Sequence, residues 1–314
     1  MTSRSGLLRA LLRHLGSFVL TLVGCALLLQ LLLALAPGDA ADLVANDPVL
    51  RTALVEQWHL DQPVWRRTLE SLAGLLTGQF GESLTFRPGT PVSELLLRGA
   101  TSSGPLLFGA LLLSVGLGSG MAWLKWERGA RLLSIVSVAP VFLIAATTTT
   151  ALNQVAFAGL QAGWWAAPAW FALPVNNHPL KTALAIAALA IGSGAFSEIH
   201  QASHESLRAI RSSEYVDAAV ARGAPLSDLV LRNFLLPLSA ITARRAAFFV
   251  GGLVVIEKVL HVQGAGAMLW QACRLRDWPL VIGLSLLAAC VVAGTRLLAD
   301  MSRLALDPRL RGQA

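Results

Sequence analysis

An all-α polytopic membrane protein is the fold class this sequence predicts, on three observations. The 314 residues are 55% hydrophobic and only 14% charged, with a mean hydropathy of +0.62, too apolar for an ordinary soluble domain. Six stretches approach the roughly 20 apolar residues that cross a bilayer as a helix, and in hydrocarbon only helices or closed barrels satisfy the backbone. Basic residues gather at the ends of those stretches, as positive-inside topology requires.

Residues 1–14 carry Arg4, Arg9 and Arg13 and are expected in the cytoplasm. The first span, Leu15 to Ala36, is long and is followed by Pro37-Gly38-Asp39 without a small-residue cleavage site, so it reads as a retained helix rather than a signal peptide. Residues 37–104 form the sizeable extracytoplasmic region. Its turn signals at Pro48, Pro63, Gly78, Gly81 and Pro88-Gly89 separate two short helices expected to pack on the membrane domain, one through Leu50, Leu54, Val55 and Trp58, the other through Trp65, Leu69, Leu72, Leu75 and Leu76. Residues 105–314 hold the remaining spans. The second, Pro105 to Leu124, ends at the basic turn of Lys125, Arg128 and Arg131, from which the third, Leu132 to Ala151, leaves. The uncharged segment Gln154 to Asn177 lies at or dips into the interface. The fourth span is Leu180 to Ser197, the fifth Leu235 to Ile256 and the sixth Leu280 to Ala299, leading to a tail, 300–314, with Arg303, Arg309 and Arg311. An even count returns both termini to the cytoplasm and places 198–234 there too.

Several function classes fall away. The net charge of +7 is spread over helix ends with no aromatic-basic interleaving, which excludes a nucleic-acid surface. Trp123, Trp126, Trp164, Trp165, Trp170, Trp270 and Trp278 lie near span ends, as lipid headgroup anchors do. Cys25, Cys273 and Cys290 form no disulfide framework and read as packing residues. The six histidines show no metal-ligand spacing beyond His200 and His204, which share a helix face and read as surface residues, so no metal and no cofactor is expected. An intramembrane serine enzyme fails because Leu117 and Ile191 stand where a glycine is required before Ser119-Gly120 and Ser193-Gly194. A zinc peptidase fails because Arg208 follows His204-Glu205 where a second histidine is needed. A secondary carrier would more often show inverted repeats and intramembrane acids, and Glu257 sits at the edge of its span.

The segment Tyr215 to Gly223 reads as a helix with one face free of bulk at Ala218 and Ala219, stopped by Gly223 in the left-handed conformation, with Pro225 suited to the first turn of a second helix. A partner can approach such a face closely. Arg244 and Arg245 interrupt the fifth span, where a guanidinium costs about 3 kcal/mol at the bilayer centre. Either both snorkel to the headgroups, or one lines a pathway and holds a carboxylate.

From residue 9 to 311 the chain resembles the inner-membrane permease subunit of the ABC importers for dipeptides, oligopeptides and nickel. The signposts come in family order: Pro37-Gly-Asp39, His59-Leu-Asp-Gln-Pro63, Gly78-Gln-Phe-Gly-Glu-Ser83, Pro91-Val92, Ala139-Pro-Val-Phe142, Tyr215 to Gly223, Asn233 to Pro237, Gly252-Leu-Val-Val-Ile-Glu257, Gly264-Ala-Gly266, Arg276-Asp-Trp-Pro279 and Leu306-Asp-Pro-Arg309. The resemblance implies six transmembrane helices of the type I importer kind in a bacterial inner membrane. It also implies a second homologous permease, separate ATPase subunits and an extracytoplasmic substrate-binding protein as partners. Tyr215, Asp217, Ala218, Ala219, Arg222, Gly223 and Pro237 fall on the loop that couples such permeases to the ATPase, and Arg244 and Arg245 on a possible translocation pathway. The chain departs from the family at Gln201 and His204, where two arginines are common, and at Arg244 and Arg245, where apolar or small residues are usual.

Overall fold

A computed structural model describes residues 2–35, 48–57, 62–128, 179–192, 195–223, 226–259 and 262–306. The expected third span, the uncharged segment to Asn177 and Pro225 lie outside these residues, as do most or all of the motifs that begin at Pro37, His59, Ala139 and Leu306. Ten helices are described: α1 (Thr2–Leu35), α2 (Pro48–Gln57), α3 (Val64–Thr77), α4 (Val92–Arg128), α5 (Pro179–Gly192), α6 (Ala195–Arg211), α7 (Glu214–Ala221), α8 (Leu226–Val259), α9 (Ala265–Arg274) and α10 (Trp278–Leu306). The only bridge among the described residues joins Glu82 and Pro91 at the base of a short loop.

Four of these helices are long and apolar enough to cross a membrane, over Leu12–Leu33, Val92–Trp123, Asn233–Lys258 and Trp278–Arg303. Their limits differ from the sequence expectation wherever proline or a polar run was taken as an edge. The second helix does not begin at Pro105; it starts at Val92 and runs through that proline for 37 residues, about 55 Å at 1.5 Å per residue. Glu94 in its first turn favours the dipole and pairs with Arg98 at 2.6 Å. The stretch expected as one span from Leu180 to Ser197 is two helices, α5 and α6, and α6 continues far beyond it to Arg211. Helix α8 likewise starts at Leu226 and passes through Pro237.

Helices α4, α5, α6 and α8 share the main core, built on Leu106, Ala110, Leu189, Ile199, Phe249 and Leu253. Between helices in lipid the hydrophobic effect gives little, so close approach at small residues does the packing. Gly118 shows it: a Cβ there would lie 2.9 Å from the Ile199 side chain, so α4 and α6 touch backbone to side chain. Helix α4 runs alongside α5 and α6 in the same direction, with Ser114 donating to Ala190 O at 3.2 Å, Gly118 against Ile199, and Ala122 in one cluster with Leu207. Helix α1 packs on α10, where His14 Nδ1 lies 3.1 Å from an Asp300 carboxylate oxygen, and leaves Leu20 and Leu35 exposed as a lipid-facing side would be.

Helices α2 and α3 fall where the turn signals place them, and α3 packs on α1 and α10 before stopping at Gly78, whose N–H reaches Gly74 O at 2.7 Å. Of the residues expected to pack from α3, Trp65 and Leu69 instead point outward, 64% and 59% exposed, while the side chains of Leu72, Leu75 and Leu76 lie outside the described set. Cys25 and Cys273 are exposed too, not packed inside.

Candidate functional site

Helix α6 delivers the chain to a tight turn, with Ser212 N–H bonded to Arg208 O and Val216 N–H to Ser213 O, and α7 starts there. Glu214 and Asp217 in its first turn complement the helix dipole. Among the described side chains of this short helix, one is buried. Val216 is 4% exposed in a pocket of Ala122, Leu207, Ile210 and Phe234, from the ends of α4, α6 and α8. Everything else described on α7 faces out. Asp217, Ala218, Ala221, Arg222 and Gly223 are exposed; Ala219 lies on the same helix, with its side chain outside the described set.

Tyr215 is half exposed, and its hydroxyl accepts from Asn233 Nδ2 at 3.1 Å, tying α7 to α8. Pro237 stands one turn further along α8 and has no N–H to offer the Asn233 carbonyl four residues back, so the regular ladder is interrupted beside that contact. Arg222 Nε donates to Ala218 O at 3.0 Å, covering a carbonyl at the end of α7. Gly223 has φ 77°, the left-handed stop expected from the sequence; a Cβ there would meet no atom within 4 Å, so only backbone conformation restricts the position.

Arg244 and Arg245, adjacent in sequence, part company in the structure. Arg245 is buried and makes a two-pronged ion pair with Glu198 of α6, Nε to Oε2 and Nη2 to Oε1, while its guanidinium carbon lies 4.9 Å from the centre of the Phe248 ring. Arg244 is exposed and heads a stripe at helical spacing through Phe248, Gly251 and Val255. Arg245 is turned into the protein, towards α6. It lies 12 residues after Asn233 and 13 before Lys258, the limits of its span, about 18 and 20 Å from either end. His200 also departs from the surface role expected of it: it is buried against α4, with Nδ1 3.3 Å from Gly118 O and its ring stacked between Phe196 and His204.

Two carboxylates that sequence reasoning passed over organise the opposite end of the bundle. Glu257, fully buried, accepts from Ser103 Oγ of α4 through Oε1 and from Ala267 N–H through Oε2 at 2.9 Å, while Ser103 Oγ accepts from Ala265 N–H at 2.7 Å. It thereby caps the start of α9, whose own N-cap residue Gly264 has no side chain to do so. Gly264 is required by contact: a Cβ there would sit 2.1 Å from Glu257 Oε1. Asp277, also fully buried, accepts through Oδ2 from Ser83 Oγ at 2.5 Å and from the N–H groups of Leu84, Thr85 and Phe86 at 3.0–3.1 Å, and through Oδ1 from Leu280 N–H at 3.4 Å. One aspartate so binds the loop after Gly81 to the first turn of α10, with Arg276 held at φ 52° beside it. The sequence signal was present in the motifs Gly264-Ala-Gly266 and Arg276-Asp-Trp-Pro279, whose glycines and acid now have a mechanical reason. Among the described residues no group of three metal-ligating side chains comes together.

Residues 114–312, most of the helical core and the whole of α6, α7 and α8, match the family described as binding-protein-dependent transport system inner membrane component. Similar chains match end to end. A probable peptide ABC transporter permease protein, y4tP, of Sinorhizobium fredii is 26% identical over 96% of this chain and 98% of its own length. The oligopeptide transport system permease protein AppB of Bacillus subtilis is 24% identical over 92% and 95%, and the glutathione transport system permease protein GsiC of Salmonella typhimurium 26% identical over 97% and 99%. A helical membrane core of this kind, matched over well over half its length, identifies a transport component rather than an enzyme: the chain belongs to the family of binding-protein-dependent transport system inner membrane components.

Proposed function

We propose that this chain is the permease subunit of an ATP-driven importer of small peptides, in which α7 docks on a separate ATPase. The observation that carries this reading is the presentation of α7: among its described side chains Val216 alone is buried, and Asp217, Ala218, Ala221 and Arg222 are left uncovered at one end of the bundle. Tyr215, Asp217, Ala218, Ala219, Arg222 and Gly223 form the docking element, and Pro237 eases α8 beside it. The other partners are a second homologous permease, which completes the pathway together with Arg244 and Arg245, an extracytoplasmic substrate-binding protein at the Asp277 end, and the surrounding lipid. The family resemblance extends to nickel and other metal chelates, but the relatives named above carry peptides and glutathione in their names, which favours a peptide cargo.

In this arrangement both termini and α7 face the cytoplasm of a bacterial inner membrane, and the loop between Gly81 and Pro91 faces outward. An impermeant thiol reagent applied to intact cells, with the three native cysteines replaced, should label Arg87→Cys and spare Ala221→Cys; equal labelling would reverse or void the topology. Coupling is tested by Gly223→Val, which forces a β-branched residue into a left-handed turn. Peptide uptake should collapse while membrane insertion persists, and a normal uptake rate would remove Gly223 and its loop from the coupling.

A further inference from the structure

Resting on the reading of this chain as the pathway subunit of a peptide importer, the ion pair between α6 and α8 has an uneven exposure that points to cargo. The Arg245 side chain is 9% exposed and that of Glu198 47%. The cation is enclosed; the carboxylate opens outward, beside the middle of the apolar stretch of α8. A carboxylate beside an apolar span is costly against lipid, so the flank on which Glu198 opens is water or polypeptide. The rest of α6 decides between them. Gln201, Glu205 and Arg208 follow Glu198 at helical spacing, all polar and all exposed, and draw a wet strip from there to α7. On this strip each Glu198 oxygen receives one prong of the guanidinium and keeps acceptor capacity for a further donor.

We propose that Glu198 binds the primary ammonium group of the cargo midway along the pathway, with Arg245 as the positioning residue that holds the carboxylate there. Arg244, exposed on the neighbouring helix, is left for the opposite, carboxylate end of the same molecule. The site therefore selects zwitterions with a free amino group. Because Arg245 already neutralises most of its charge, Glu198 attracts an ammonium weakly, as a conducting site must if the cargo is to leave again.

The test uses the transporter reconstituted in vesicles with its partner subunits, and compares uptake of dialanine with that of N-acetyl-dialanine. Wild type should prefer dialanine, and Glu198→Gln should lower that preference about tenfold, chiefly through KM, whereas Glu198→Asp should keep most of it. Should the single Gln variant insert poorly for want of a partner for Arg245, the double variant Glu198→Gln with Arg245→Gln removes the stranded cation and should still lack the preference. Preference surviving in either Gln variant overturns the ammonium contact, as does an equal fall for both peptides, which marks the pair as purely structural; both results leave the permease reading standing. A wild-type transporter that carries neither peptide overturns the peptide reading and the contact together.

Discussion

At the Asp277 end of the bundle, fully buried carboxylates each gather donors from two separate segments, and glycine leaves no room for a single added carbon. At the α7 end, one valine in an apolar pocket and one tyrosine–asparagine hydrogen bond hold a helix of eight residues. Buried charge-assisted hydrogen bonds are short-range and unforgiving: removing one partner leaves the other stranded. A small apolar plug tolerates tilting and re-seating. The contrast teaches that this chain spends its rigid contacts where α4, α8, α9 and α10 must stay registered, and leaves compliance at the end where the proposed ATPase contact lies.

Five substitutions probe that contrast, in falling order of effect. Asp277→Ala strands the Ser83 hydroxyl and three N–H groups at once, and should cost about 3–5 kcal/mol of stability. Thermal unfolding of the solubilised protein measures it, and a shift indistinguishable from wild type would mean the loop is held by something else. Gly264→Ala drives a methyl group into the Glu257 carboxylate and should cost about 2–4 kcal/mol, with Ser103→Ala milder because its neighbours can re-pair. At the other end, Val216→Ala opens a small cavity worth about 1–2 kcal/mol. Its larger signature should be functional: ATP hydrolysis by the assembled transporter should continue while uptake falls, and parallel loss of both would deny that α7 is the compliant end. Tyr215→Phe removes one half-exposed hydrogen bond and should change stability by about 0.5 kcal/mol at most, the floor of the series.

What the sequence made legible follows from distance along the chain. Apolar runs and the left-handed stop at Gly223 are local properties: four of the six expected spans fall on described helices long and apolar enough to cross a membrane, and Gly223 has its positive φ. Helix ends were less so. Pro105 and Pro237 signal a boundary in isolation, yet each sits inside a long helix because neighbouring helices fix the backbone around it. The two hubs were illegible for a simpler reason. Glu257 meets Ser103 154 residues away, and Asp277 meets Ser83 across 194, so no window along the chain contains both partners. Arg245 looked like its neighbour Arg244 until the fold brought Glu198, 47 residues earlier, against only one of them. On α3 the helical spacing of Trp65 and Leu69 was real, but periodicity does not say which side of a helix the rest of the protein covers.

The tight seat of Ile199 on Gly118 gives α6 a fulcrum. Arg211, at the far end of the rod, lies 12 residues from that point, about 18 Å, whereas Glu198 lies one residue from it, about 1.5 Å. For a stiff helix rocking on this seat, a sideways stroke of the α7 end is reduced about twelvefold at Glu198. On such a pivot the ion pair would occupy the quiet end of a lever: a long excursion at α7 would reach it as a small change in angle, enough to reorient a hydrogen-bonding fork without tearing it apart.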